Sequence, residues 1–125
     1  VKTAPTGVDE QAGLLLMNNE GQMASVMLSL HSKQPKRGMI SCEKGYIEIL
    51  EYPRAWEATI TDAETGKTEV IKAGENADAL AYELADMERA INGDTACMHL
   101  EYTKDVMELM TAFRKEWGLK YPEEE

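Results

Sequence analysis

The feature that most limits what this chain can fold into is a change of hydrophobic period partway along it. Up to about Lys72, apolar residues recur at every second position in short stretches; after about Asn76 they recur every three to four. Over residues 23–31, Ala24, Val26, Leu28 and Leu30 fall on one face of a strand, and Ser25, Met27, Ser29 and His31 on the other. The same alternation sets Ile47 and Ile49 against Tyr46 and Glu48, and Trp56, Ala58 and Ile60 against Glu57, Thr59 and Thr61. Turn-forming clusters at 18–21, 33–36, 43–45 and 62–66 separate these stretches. The spacing predicts an antiparallel meander of about five strands over residues 11–72, apolar on one face and mixed on the other.

Beyond the change of period, Leu80, Leu84, Met87 and Ile91 predict a helix over about 77–92, with Asn76 or Asp78 to cap its start and Gly93 to end it. A second helix over about 103–117 carries Val106, Leu109, Met110, Phe113 and Trp117 on one stripe. It stops at Gly118, with Leu119 set for the hydrophobic contact of a Schellman ending. Strands grouped first and helices last imply an α+β fold, an antiparallel open-faced sheet with the two C-terminal helices packed on one face. Trp56 and Trp117 are both in phase with core positions. Residues 1–10, with Pro5, Gly7 and no period, read as a tail or linker; 11–122 form the domain, and 123–125 an acidic tail.

The sheet face opposite the helices has no covering element in this reading. Ser25, Met27, Ser29 and Met39 lie on it, too apolar together to stay bare, and are expected to form the contact of a two-fold homodimer.

With 125 residues, 43% hydrophobic and 29% charged, the chain can bury roughly two thirds of the surface it would expose unfolded. A net charge of −10 repels phosphate backbones and anionic headgroups, which argues against nucleic acid and membrane surfaces as partners. Two cysteines without framework spacing, and no secretory pattern at the N-terminus, make reduced thiols in the cytoplasm the expectation. No apolar run is long enough to span a bilayer.

Catalytic signatures are sparse. None of the nine glycines has another two positions away, so the dinucleotide fingerprint is missing, as are the phosphate-cradling loop and the Gly-x-Ser-x-Gly elbow. Cys97-x-His99 is the one close pair of metal-ligand types, and it falls in a connection whose Met98 and Leu100 suggest that Cys97 is a small buried hydrophobe; no metal site is assigned. His31, at a strand end and followed by Lys33 and Arg37, is the candidate for substrate contact, and the three together form the expected pocket wall.

The run Gly38-Met39-Ile40-Ser41-Cys42-Glu43-Lys44-Gly45-Tyr46-Ile47-Glu48-Ile49 resembles a hairpin in the C-terminal domain of the Gfo/Idh/MocA oxidoreductases, the glucose-fructose oxidoreductase and inositol dehydrogenase family, and most its dihydrodiol dehydrogenase-like branch. Cys42 departs from the glycine usual there. Residues 23–32 resemble the strand that precedes this hairpin. Ala81-Tyr82-Glu83-Leu84 with Arg89-Ala90-Ile91-Asn92-Gly93 is similar to the family's "Tyr-Glu … Ile-x-x-Gly" helix, and 100–118 to its closing helix. The likeness runs over about residues 11–122.

What the resemblance implies is the C-terminal substrate-pocket and oligomerisation domain of an NAD(P)-dependent oxidoreductase acting on a sugar, polyol or related hydroxyl compound. The family's catalytic Lys-Pro is absent, since the prolines follow Ala4, Gln34, Tyr52 and Tyr121; so is its Asp-x-x-x-His, since the residues four after each Asp are Gly13, Gly66, Tyr82, Ala90, Met98 and Leu109. The chain is therefore expected to hold no cofactor and no catalytic residue itself. NAD(P) and the reacting lysine would belong to an N-terminal Rossmann domain before Val1. The alternative is a free-standing, non-enzymatic interaction module that uses the open sheet face.

Overall fold

The computed structural model describes residues 1–121, so the acidic tail at 123–125 lies outside the described residues. The fold is α+β and divides into two units, one from Val1–Gln34 together with the chain from His99 on, the other from Pro35–Met98.

The first unit holds β1 (Lys2–Thr3), β2 (Asp9–Met17) and β3 (Met23–Ser29) in one antiparallel sheet of that order, and the helix α2 (Leu100–Glu116). The tail expected over residues 1–10 is instead part of this sheet. Pro5 and Gly7 are turn residues here: the Gly7 N–H donates to Ala4 O at 2.9 Å and Ala4 N–H to Val8 O at 2.8 Å, folding β1 back on β2. The next turn is clamped by Asn18, whose Oδ1 accepts the N–H groups of Glu20 and Gln22. Register pairs Ala12 with Leu28, Leu14 with Val26 and Leu16 with Ala24 on one face, and Gly13 with Met27, Leu15 with Ser25 and Met17 with Met23 on the other. Ala12, 4% exposed, is the one buried hydrophobic residue among those described, and it marks the inner face.

The second unit is a four-stranded antiparallel meander, β4 (Arg37–Cys42), β5 (Gly45–Leu50), β6 (Glu57–Asp62) and β7 (Thr68–Lys72), followed by the helix α1 (Ala79–Ile91). Among the described residues the single meander expected from the sequence is thus two sheets of seven strands together, and each unit has one α-helix. The ladder breaks between β3 and β4 for local reasons. Ser29 Oγ accepts the N–H groups of His31 and Ser32, bending the chain out of the extended form, and Pro35 has no N–H to give.

Both helices form where the period predicts, α1 within two residues at each end and α2 starting three residues earlier, at Leu100. Neither Asn76 nor Asp78 makes the expected side-chain cap; a 3-10 turn over Asn76–Asp78 leads into α1 instead. Both C-termini are Schellman endings, with Asp94 N–H bonded to Arg89 O and Leu119 N–H to Arg114 O, each at 3.0 Å. The apolar stripe of α1, expected to be core, is exposed at Leu80, Leu84, Met87 and Ile91; on α2, Phe113 and Trp117 are half-buried and stack at 5.9 Å. Among the described residues no helix is long and apolar enough to cross a membrane.

Candidate functional site

The outer face of the first sheet carries Leu15, Met17, Met23 and Met27, each 69–79% exposed. Strand alternation puts Ser25 and Ser29 on this face with Met27, as the sequence predicts. Ser29 is already engaged, accepting a hydrogen bond from Gln11 Nε2 at 3.0 Å besides its two turn amides. Met39, the fourth expected member, is not in this sheet. It sits on β4 in the other unit, opposite Glu48, whose carboxylate is 3.6 Å from Arg37 Nη1.

His31, Lys33 and Arg37 are likewise divided: His31 and Lys33 follow β3 in the first unit, and Arg37 opens β4 in the second. His31 lies beyond the strand, so the alternation that assigned its face does not reach it. Its Nε2 meets Glu10 Oε1, and by alternation Glu10 belongs to the Ala12 side. Lys2 Nζ takes the other carboxylate oxygen at 2.7 Å. The Lys2 ammonium hydrogen-bonded to it, aided by the nearby His31, holds the Glu10 carboxyl below the usual carboxylate range, against a smaller opposing effect of burial. Cys97 is half-buried, and its thiol points at the carbonyls of Asp94 (3.1 Å) and Asp86 (3.4 Å), while His99 stacks on Tyr102 at 5.3 Å.

The second unit has a concave site that the sequence reading missed. A cleft of about 370 Å³ opens between Trp56, at the approach to β6, and Tyr82, one turn into α1, with Arg54, Glu75 and Asn76 also lining it. Both aromatic positions are fixed by the backbone around them: Ala73 N–H donates to Trp56 O at 2.9 Å, and Glu75 N–H donates to the Tyr82 phenolic oxygen at 3.0 Å. Lys72 Nζ stands 4.8 Å above the Trp56 ring and 3.7 Å from Glu57. Trp56, expected in the core, is 42% exposed.

Arg54 reaches the cleft because the chain turns sharply after β5. Glu51 is left-handed, at φ 51°, a conformation that costs a non-glycine residue roughly 1–2 kcal/mol. It is held by its N–H to Lys36 O at 2.6 Å and by Arg54 N–H to its own carbonyl at 2.9 Å. Strain of this kind persists where the surroundings fix it, and here it starts the 3-10 turn Tyr52–Arg54. The sequence trace of the cleft was Trp56, in phase with the core pattern of its strand, and Tyr82, 26 residues on and off the Leu80–Leu84–Met87–Ile91 stripe, and periodicity could not tell a core ring from a cleft wall.

No family model, curated protein or solved structure matches the chain.

Proposed function

We propose that this chain is the substrate-pocket and oligomerisation domain of an NAD(P)-dependent oxidoreductase acting on a sugar, polyol or related hydroxyl compound, and that it works beside a separate Rossmann domain. The observation that carries this reading is the outer face of β2 and β3. Leu15, Met17, Met23 and Met27 form an uncharged, mostly thioether and aliphatic surface on an antiparallel sheet, the type of face a second copy covers in a two-fold contact. The hairpin at 38–49 and the two helices, in the order the resemblance requires, supply the rest.

The chain's own residues do not fit a dinucleotide. The helix start that follows a strand, that of α1 after β7, presents Glu75 and Asp78, which repel a pyrophosphate, and no glycine loop precedes it. Cofactor binding therefore falls to the other domain.

Sedimentation of the wild-type chain and of Met27→Lys at micromolar concentration tests the contact. A dimer whose dissociation constant rises at least tenfold in the variant supports it, because two lysines would meet across the two-fold axis. A wild-type monomer overturns it. The enzyme half is tested by the coding sequence upstream of Val1: a strand followed by Gly-x-Gly-x-x-Gly supports it, and its absence favours the free-standing interaction module.

A further inference from the structure

The cleft of the second unit combines two aromatic walls with unmatched polar groups. Apart from the two rings the apolar lining is small, Ala55, Ala73, Gly74 and Ala79, which leaves the space open. Arg54, Glu75 and Asn76 line the same space, and none of their side chains has a partner among the described residues.

Aromatic faces attract cations, and Trp56 already receives one in Lys72, a residue that does not itself line the cleft. The unit Pro35–Met98 has 13 acidic and 7 basic side chains, a balance of −6, so its field draws cations toward Glu75. A primary ammonium is held by directed hydrogen bonds from all three N–H groups, and beyond Glu75 and Asn76 the slot offers it mainly aromatic, alanine and glycine walls, which cannot accept them. A quaternary ammonium, with no N–H left, needs none, and its methyl groups suit aromatic and alanine walls. Arg54 would repel a bare cation. On a ligand that also carries a carboxylate, the same guanidinium becomes a two-pronged partner for it.

We propose that this cleft binds a small zwitterion of the betaine class, its methylated ammonium between Trp56 and Tyr82 beside Glu75 and its carboxylate on Arg54. The cleft volume, about 370 Å³, sits at the small end of ligand sites, roughly 300–1,000 Å³. The inference rests on this unit alone and goes beyond the oxidoreductase reading, so either can fail without the other.

The test is an NMR titration of the full chain that follows the two indole N–H signals, Trp56 as reporter and Trp117, in the other unit, as reference. Glycine betaine is expected to move Trp56 and not Trp117, saturably, with a dissociation constant of about 1 mM or lower. Glycine and acetate should bind at least about tenfold more weakly, for want of methyl–aromatic contact. Arg54→Gln should weaken betaine about tenfold while tetramethylammonium, relieved of the guanidinium's repulsion, binds at least as tightly, whereas Glu75→Gln should weaken both. These two surface variants keep the test open if Trp56→Ala fails to fold. The proposal is overturned if betaine leaves Trp56 unmoved, if glucose moves it while betaine does not, or if Arg54→Gln affects betaine and tetramethylammonium alike.

Discussion

The two units are built from similar parts in opposite ways. The second, Pro35–Met98, is one continuous stretch whose strands pair with their sequence neighbours through short turns. The first joins a three-stranded sheet at the N-terminus to a helix that begins only after the whole second unit has been traversed. Local pairing closes short loops at small entropic cost, while the first unit must close a loop that contains the other. The difference teaches that local features do not depend on how a unit is closed: the Trp56 cleft, left-handed Glu51 and Lys72 over Trp56 lie in the locally paired unit, while left-handed His99 and Arg114 over Tyr121 lie in the other.

The sharpest way to break this contrast is at one glycine in each sheet. A Cβ on Gly45 would lie 2.1 Å from Thr61 O, a backbone atom that cannot yield, whereas one on Gly13 would meet the flexible Met27 Sδ at 3.1 Å. Gly45→Ala should cost about 3 kcal/mol and Gly13→Ala less than about 1 kcal/mol in urea denaturation. Equal losses would show that the two sheets are equally constrained.

A smaller effect is expected at the turn between β2 and β3. Asn18→Ala removes the acceptor for two turn amides and should loosen that hairpin by about 1 kcal/mol. Hydrogen exchange at Leu14 and Leu16 should then quicken about fivefold, with β4–β7 amides unchanged, if the units open separately. Simultaneous acceleration in β5 and β6 would join them into one cooperative body.

The smallest effect concerns acid. Because the folded Glu10 carboxyl titrates below its ordinary value of 4.5, its contribution is present above that value and is lost as pH falls through the lowered one. Stability measured across this acid range should fall less steeply in Glu10→Gln than in the wild type. Asp62, held low by the Thr65 hydroxyl and amide, keeps the second unit's acid dependence in both proteins. Identical acid limbs would show that Lys2 and His31 do not tie the first sheet together.

Much of this architecture was legible because it is local. Alternation named the two faces of β3, the period located both helices, and Gly93 and Gly118 gave their endings. Periodicity says which face a residue takes but not which strand it pairs with, so the break after Ser29 was invisible until its hydroxyl was seen holding the amides of His31 and Ser32. Pro5 and Gly7 have the same composition in a linker and in a hairpin turn, and only the backbone bonds Ala4–Val8 and Gly7–Ala4, with Lys2 meeting Glu10, tell them apart. His31 was singled out at a strand end with Lys33 and Arg37 after it, but the group it meets, Glu10, lies 21 residues away on a neighbouring strand. The cleft was hidden for the same reason, since Arg54, Trp56 and Tyr82 converge only once β6, β7 and α1 have folded.

On the outer face of the first sheet, Met17 stands directly opposite Met23, with Met27 over Gly13, and all three thioethers are open to solvent. Sulfur in that position is chemically perishable. Peroxide turns each soft, adaptable side chain into a polar sulfoxide, and methionine sulfoxide reductases reverse the change. A surface of this composition is therefore tied to the oxidative history of the molecule, and freshly reduced and aged samples will present different faces although their sequences are identical.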